Sequence, residues 1–336
     1  MKATTVVIGG TGFIGSALVE RLAESGHRVA LISRSGRWRW GARPVGVVGI
    51  ACDISDAGSS PILYEAFRGA RLVVNLAGAL WRRNLPRSGY KRLHVDGARL
   101  VLDALHAAAG SEGPTRLVHV STTGVLGPTG PEPLDERALP APSNEYERTK
   151  LEGEKLALAA RGAGLEVVVA RPGLVYGARD MHLLEFFRAI DSGFFRPIGG
   201  GGATWQPVHN SDVISGLETM LKAPGVDGGV FHLAGAERVT VADLAFQIAR
   251  ALGRRAHVLS LPRPIALATG AMLEALAAPL RTSPPLSRAR VRTLTEDRVY
   301  SIAAAAERLG WRPLTRLDEG LPATIGWYRA QGFLAR

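Results

Sequence analysis

Tyr146 and Lys150 stand four positions apart in a run of good helix formers, with Ser143 as a candidate N-cap, so a helix there carries both on one face. A tyrosine with a reference pKa of about 10 is a poor base at neutral pH, but a nearby ammonium favours the phenolate and makes proton exchange with a bound hydroxyl feasible. Ser121, Thr122 and Thr123 place three consecutive hydroxyls upstream, able to hold such an oxygen or simply to cap the end of their own strand. Near the start, Gly9, Gly12 and Gly15 offer bare backbone at the entry to a helix, where N–H donors and the positive dipole end suit a pyrophosphate. A glycine turn without a ligand is the plainer reading of that triplet alone.

These residues need a scaffold, and the apolar pattern supplies one. Short β-branched or apolar runs at residues 4–8, 29–32, 45–50, 72–76, 117–120 and 167–170 read as strands, with helical patterns between most of them. Ile14, Leu18 and Leu22 recur at helical spacing up to Gly26. Continuous apolar strands alternating with helices predict an α/β fold, a doubly wound parallel sheet of Rossmann type, with ligand at the carboxyl ends of the strands. Beyond residue 172 the alternation breaks down. A glycine loop at 199–202, a strand at 230–233, a helix at 241–252, a Pro-punctuated apolar stretch at 262–294 and a helix-like tail at 311–327 follow. Residues 1–172 therefore read as a dinucleotide-binding unit to which some later segments return, and 173–336 mainly as a smaller, discontinuous substrate lobe.

The glycine spacing is G-x-x-G-x-x-G, and with the Tyr-x-x-x-Lys pair between the fifth and sixth strands it resembles the extended short-chain dehydrogenase/reductases, the NAD(P)-dependent epimerase/dehydratase type. The likeness continues through Asn75-Leu76-Ala77-Gly78, Ser121 to Gly127, Arg171-Pro172-Gly173-Leu174-Val175-Tyr176-Gly177, the segment from Val208 to Val213 and Leu309-Gly310-Trp311-Arg312-Pro313. It implies a catalytic set of Thr122, Tyr146 and Lys150, with Ser121 and Thr123 as alternates for Thr122. Cofactor contacts would come from Gly9, Gly12, Phe13, Ile14, Gly15, Ser33, Arg34, Asp53, Ile54, Ala77, Lys150 and Pro172. In the family an acid commonly ends the second strand and binds the adenosine ribose of NAD. Here Ser33 is followed by Arg34, and an arginine can bind a 2'-phosphate that an acid would repel, so the expected cofactor is NADP rather than NAD. The resemblance also implies a homodimer through helices near residues 93–109 and 143–160.

Two reactions fit this apparatus. One is a reductase or dehydrogenase acting on a carbonyl or secondary alcohol, as in the dihydroflavonol-reductase and 3β-hydroxysteroid-dehydrogenase branches. The other is a nucleotide-sugar epimerase or dehydratase using transient oxidation. A non-catalytic NADP-binding module is a third reading, which the intact Thr122, Tyr146 and Lys150 oppose. Nucleotide-sugar members usually carry an arginine about four residues before the histidine matched by His209; that position is Trp205, no R-x-G-D occurs, and Arg188 or Arg196 could substitute. Met181, Leu183, Leu184, Phe186, Phe187, Phe194, Phe195 and Trp205 make the region apolar. The expected substrate is therefore a relatively apolar small molecule, with Trp81, Thr123, Leu184 and Trp205 as candidate contacts. Some of these must instead pack the lobe.

The composition narrows the field. No run approaches the roughly 18 apolar residues of a membrane span, and the first residues run straight into a strand, so a cytoplasmic protein is expected. Single Cys52 excludes an internal disulfide and a Cys-based zinc site, and no metal is expected. The net charge of +11 comes from 36 Arg and 5 Lys scattered along the chain, a compositional bias rather than a nucleic-acid footprint, despite Trp38 and Trp40 among Arg34, Arg37, Arg39 and Arg43. His209 and Asp212 lack a third triad member and read as structural. The apolar helix and basic stretch within 262–294 could cover the cleft or rest on a membrane surface.

Overall fold

The computed structural model describes residues 5–79, 85–109, 113–193, 195–255, 260–277 and 286–335; Trp81, Phe194, Leu280 and Arg281 lie outside them. The first half alternates as its apolar runs demand: β1 (Thr5–Ile8), α1 (Phe13–Glu24), β2 (Val29–Ser33), β3 (Val47–Ala51), α2 (Ser60–Phe67), β4 (Leu72–Asn75), α3 (Arg87–Lys91), α4 (Gly97–Ala108), β5 (Arg116–Val120), α5 (Glu145–Ala159) and β6 (Glu166–Pro172). A π-helical turn, Arg92–Asp96, joins α3 to α4. Then come β7 (Leu174–Tyr176), α6 (Leu184–Asp191), β8 (Thr204–Trp205), β9 (Pro207–His209), α7 (Asn210–Lys222), β10 (Val230–Leu233), β11 (Val239–Thr240), α8 (Val241–Leu252), α9 (Arg263–Ala277), α10 (Arg288–Leu294), α11 (Ala303–Leu309) and α12 (Leu317–Ala330).

Seven parallel strands form one sheet in the order β10-β6-β5-β4-β1-β2-β3. The strand period of two sorts its side chains. Val7, Leu31, Val74, Val118 and Val168 join a core with α1 and α7, whereas Val6, Ile32, Val73, Leu117 and Val167 face α2 and α4. Both faces are thus covered, which is why these strands read as continuous apolar runs. β10 comes from the second half of the chain and extends the sheet beyond β6.

A separate apolar cluster builds the second lobe around Leu184, Phe187, Trp205, Leu244, Ile248, Leu321 and Tyr328. Polar stitches tie it to the sheet. The Asp212 carboxylate accepts from the Leu314 and Thr315 amides at 3.1 and 3.0 Å, while His209 Nδ1 lies 2.7 Å from the Ser211 hydroxyl. Segment 297–300 crosses from one unit to the other: Arg298 N donates to Thr204 O, Val299 N to Thr129 Oγ1 and Tyr300 N to Gln206 Oε1.

Candidate active site

All the glycine-loop, hydroxyl and tail-of-strand residues singled out above converge at the carboxyl ends of the strands. After β1 the chain turns through Gly9 at a φ of +81°, and a Cβ there would stand 2.9 Å from the Leu76 carbonyl carbon, so only glycine fits against the segment following β4. A Cβ on Gly15 would strike the Gly9 carbonyl oxygen, which lets α1 start directly on the turn. The N-cap of α1 is Gly12, with no side chain capping it and no acid in the first turn. Backbone N–H groups at Phe13 and Ile14 therefore remain available to an anion. This bare, uncapped cradle fits a pyrophosphate.

Ser33 ends β2, and its hydroxyl accepts from the Gly36 amide at 3.0 Å. Arg34 is exposed and has no partner among the described residues. Asp53 accepts from Ser55, and Ile54 is buried beneath Gly97. Ala77 N donates to Asn75 Oδ1 at 3.1 Å, leaving Gly78 exposed beside Lys150. Pro172 ends β6, buried. The loop after β2 folds back on this end of the sheet. Trp40 Nε1 reaches Thr11 O at 3.4 Å, and Arg179, held by Glu20 at 2.7 Å, stacks 5.0 Å from the Trp40 ring. The aromatic and basic cluster at 34–43 thus has an intramolecular use.

Helix α5, which carries Tyr146 and Lys150, starts one residue later than its serine suggested. Asn144 is the N-cap, accepting from the Glu147 amide at 3.0 Å. Ser143 instead donates its amide and hydroxyl to Glu147 Oε2, at 2.6 and 2.7 Å, closing a reciprocal capping arrangement. Glu147 is buried, and its other oxygen pairs with Arg298 at 3.1 Å, so the start of α5 is fastened to the segment that bridges the two lobes.

Of the three consecutive hydroxyls, only one meets the tyrosine. The Thr122 hydroxyl lies close enough to the partly exposed Tyr146 to lower its pKa, and it accepts from the Gly124 amide at 3.1 Å. Ser121 is buried with its oxygen unpartnered among the described residues, while buried Thr123 lies close to Tyr300. Lys150 is buried, donates to the Val120 carbonyl at 2.6 Å, and borders Gly78. A lysine Nζ has three donors, so hydrogens remain for another oxygen.

Burial dominates the electrostatics. It raises the Tyr146 phenol well above its ordinary value, against the lowering effect of the Thr122 hydrogen bond. It pushes Lys150 down to about 8, opposed by Glu154 one helical turn away. The spacing argument expected the ammonium to favour phenolate; in this structure desolvation outweighs it, and the Tyr146 phenol stays protonated at neutral pH. Behind Lys150, Glu154 forms a buried two-point ion pair with Arg171, Nε to Oε2 being 3.0 Å.

His94 was not visible as a site residue. It comes from the π-helical turn, is buried, and touches the Tyr146 ring edge-on at a centroid distance of 5.6 Å. Nothing in local spacing links it to a helix 52 residues later. Leu184 and Trp205, read as substrate candidates, sit in the core of the second lobe, though Trp205 keeps a buried indole N–H without a partner among the described residues.

A family model, the NAD dependent epimerase/dehydratase family, matches residues 5–234 of this arrangement. The chain belongs to that family. It is an extended short-chain dehydrogenase/reductase and an NAD(P)-dependent oxidoreductase enzyme. Similar members include the ceramide reductase of Caulobacter vibrioides (strain NA1000 / CB15N), 26% identical, covering 100% of this chain and 97% of the relative. A second is the 4-hydroxy-2-methyl-3-oxo-4-farnesyl-3,4-dihydroquinoline-1-oxide ketoreductase of Stigmatella aurantiaca, 28% identical over 95% of both chains. Among solved members, MoeE5 in complex with UDP-glucose and NAD is 25% identical with a TM-score of 0.76, covering 97% of this chain and 99% of that one. Among the described residues no helix is long and apolar enough to cross a membrane.

Proposed function

We propose that this enzyme is an NADP-dependent reductase or dehydrogenase that interconverts a ketone and a secondary alcohol on a relatively apolar small molecule. The Thr122 hydroxyl beside the Tyr146 phenol, with Lys150 buried nearby, carries the reading. In the reductive direction Thr122 and Tyr146 grip the carbonyl oxygen, and Tyr146, held protonated by burial, delivers a proton to it as negative charge develops. Lys150 uses its remaining hydrogens to orient the cofactor's ribose and replaces the lost proton's charge nearby. Bound on the glycine cradle, NADPH would supply the hydride. Arg34, exposed and unpartnered at the end of β2, would pair with the 2'-phosphate, and Gly9, Gly12, Phe13, Ile14 and Gly15 with the pyrophosphate.

The substrate class rests on the second lobe. Trp205 replaces the arginine expected for a sugar-nucleotide diphosphate, and its ring sits in an apolar cluster with Phe186, Phe195 and Leu184. The names of the ceramide and farnesyl-dihydroquinoline reductases point the same way. Competition binding in the presence of NADPH tests the reading, with a long-chain or polycyclic ketone set against UDP- and dTDP-sugars. Binding of the ketone and consumption of NADPH are expected. Micromolar binding of a nucleotide sugar with no measurable binding of any apolar ketone would replace it with the epimerase or dehydratase reading.

A further inference from the structure

Arg179 is one of two described residues other than glycine with a positive φ, at +72°. A glycine takes that conformation freely, so the turn leaving β7 does not itself call for an arginine; what the residue adds is its side chain. The guanidinium reaches back to α1, where Nη2 meets Glu20 at 2.7 Å and Nη1 donates to the Ser16 hydroxyl at 3.1 Å. It also lies 5.0 Å from the Trp40 ring and 5.9 Å from the Trp38 ring, within cation–π range of both. The next residue is fixed as well. The Asp180 carboxylate accepts from the His182 amide at 2.7 Å, and the Asp180 carbonyl accepts from the Tyr328 hydroxyl at 2.6 Å. Arg179 therefore stands on the link between β7 and α6, anchored to the second lobe on one side and to α1 on the other.

Both tryptophans belong to the loop after β2, which begins with Arg34. That loop is pinned at two places. Near β3, a Cβ on Gly36 would stand 2.7 Å from the Ala51 amide nitrogen, so the chain is pressed against the end of that strand. Near α1, Trp40 Nε1 donates to Thr11 O in the glycine turn at 3.4 Å, Trp38 Nε1 donates to Trp40 O at 3.0 Å, and Trp327 of α12 meets the Trp40 ring at 6.1 Å. A bond of 3.4 Å is long, so the stack with Arg179 carries much of the burden of holding the Trp40 ring. Residues 34–43 include four arginines and no acid. Such a loop repels itself and gains from an anion at its exposed side chains, Arg34 and Arg37 among them.

We infer that Arg179 is a positioning residue for the cofactor. By clamping Trp40 beside the glycine turn it keeps the cationic loop folded at the end of β2 before the dinucleotide arrives, so less ordering remains to be done on binding. The inference rests on the cofactor reading above for the phosphate that Arg34 would meet, whereas the clamp itself concerns the whole loop and either dinucleotide.

Two variants break the clamp from opposite sides: Arg179→Gly keeps the turn, and Trp40→Leu keeps the pair with Glu20. Calorimetric titration of the full chain with NADPH and with NADH, and amide hydrogen exchange without cofactor, test them. Each variant should weaken the tighter-binding dinucleotide by about tenfold or more, and the double variant should be within about twofold of the worse single one, because both remove the same contact. Exchange should quicken in residues 34–43 and stay at the parent's rate in β1, β4 and β5. Parent-like affinity in either variant would overturn the inference, as would additive losses in the double variant. Faster exchange throughout the sheet would overturn it too, marking Arg179 as a residue of general stability. Trp40→Leu decides alone if Arg179→Gly does not fold. A parent that prefers NADH would defeat the 2'-phosphate role of Arg34, and the same outcomes would then be read on NADH.

Discussion

His94 Nδ1 lies 2.9 Å from the Thr149 hydroxyl, and its Nε2 accepts from the Ala79 amide at 3.2 Å. The Thr149 hydroxyl donates onward to the Glu145 carbonyl at 2.8 Å, so His94 must be the donor to Thr149 and carry its proton on Nδ1. Burial, reinforced by Lys150 and His119, pushes its pKa down to about 2 and keeps the ring neutral. The imidazole therefore joins the segment after β4 to the helix that presents Tyr146 and Lys150.

Replacing His94 with Leu should leave the Ala79 amide unsatisfied and loosen α5. The expected cost is about 1–3 kcal/mol of stability together with a fall in kcat. His94→Gln, which can still accept and donate, should recover part of both. Urea unfolding and steady-state kinetics on the two variants check this; a Leu variant with parental kcat would remove the clamp from catalysis.

Tyr146→Phe should lower kcat by about a hundredfold or more, the range for losing a positioned general acid, while leaving NADPH affinity within about twofold. The glycine cradle lies on a different strand end and is untouched. Pre-steady-state turnover and a fluorescence titration of NADPH measure the two quantities, and near-normal turnover would exclude Tyr146 as the proton donor.

NADPH should bind roughly tenfold to a hundredfold more tightly than NADH, the range of a charge-assisted hydrogen bond. Arg34→Asp should narrow or reverse that ratio. Parallel titrations of both cofactors decide it; a preference for NADH in the unmutated enzyme defeats the assignment.

Three buried histidines make the fold sensitive to acid. Burial holds His94 at about 2, and His119 and His232 at about 3, each below its unfolded value. The unfolded chain takes up these protons first, so the stability they contribute is complete above about pH 6.5 and is lost as pH falls toward 3. Each proton that only the unfolded chain binds lowers stability progressively across that window. Asp180, raised to about 6 by burial, and Glu136, also raised by burial, work in the opposite sense against the three histidines. The melting temperature should drop steadily between pH 7 and pH 5, and a flat or rising trend would contradict the neutral state of these rings.

The sequence by itself determined what depends on repeat distances along the chain. Strand alternation, the glycine turn before α1 and the common face of Tyr146 and Lys150 follow from periods of two and 3.6 residues and from the conformational freedom of glycine. Tertiary structure decided what depends on packing between distant segments. Ser121, Thr122 and Thr123 are chemically near-equivalent neighbours, and only the seating of α5 and of Tyr300 sets Thr122 beside Tyr146 and Thr123 beside Tyr300 and leaves the Ser121 oxygen without a partner among the described residues. Ser143 and Asn144 are both good caps, separated by the reach of Glu147 and its pairing with Arg298. His94 meets Thr149 across 55 residues, and burial, which no spacing encodes, keeps the Tyr146 proton in place. Local geometry is written in intervals of a few residues, whereas desolvation and long-range contacts exist only once the chain has closed on itself.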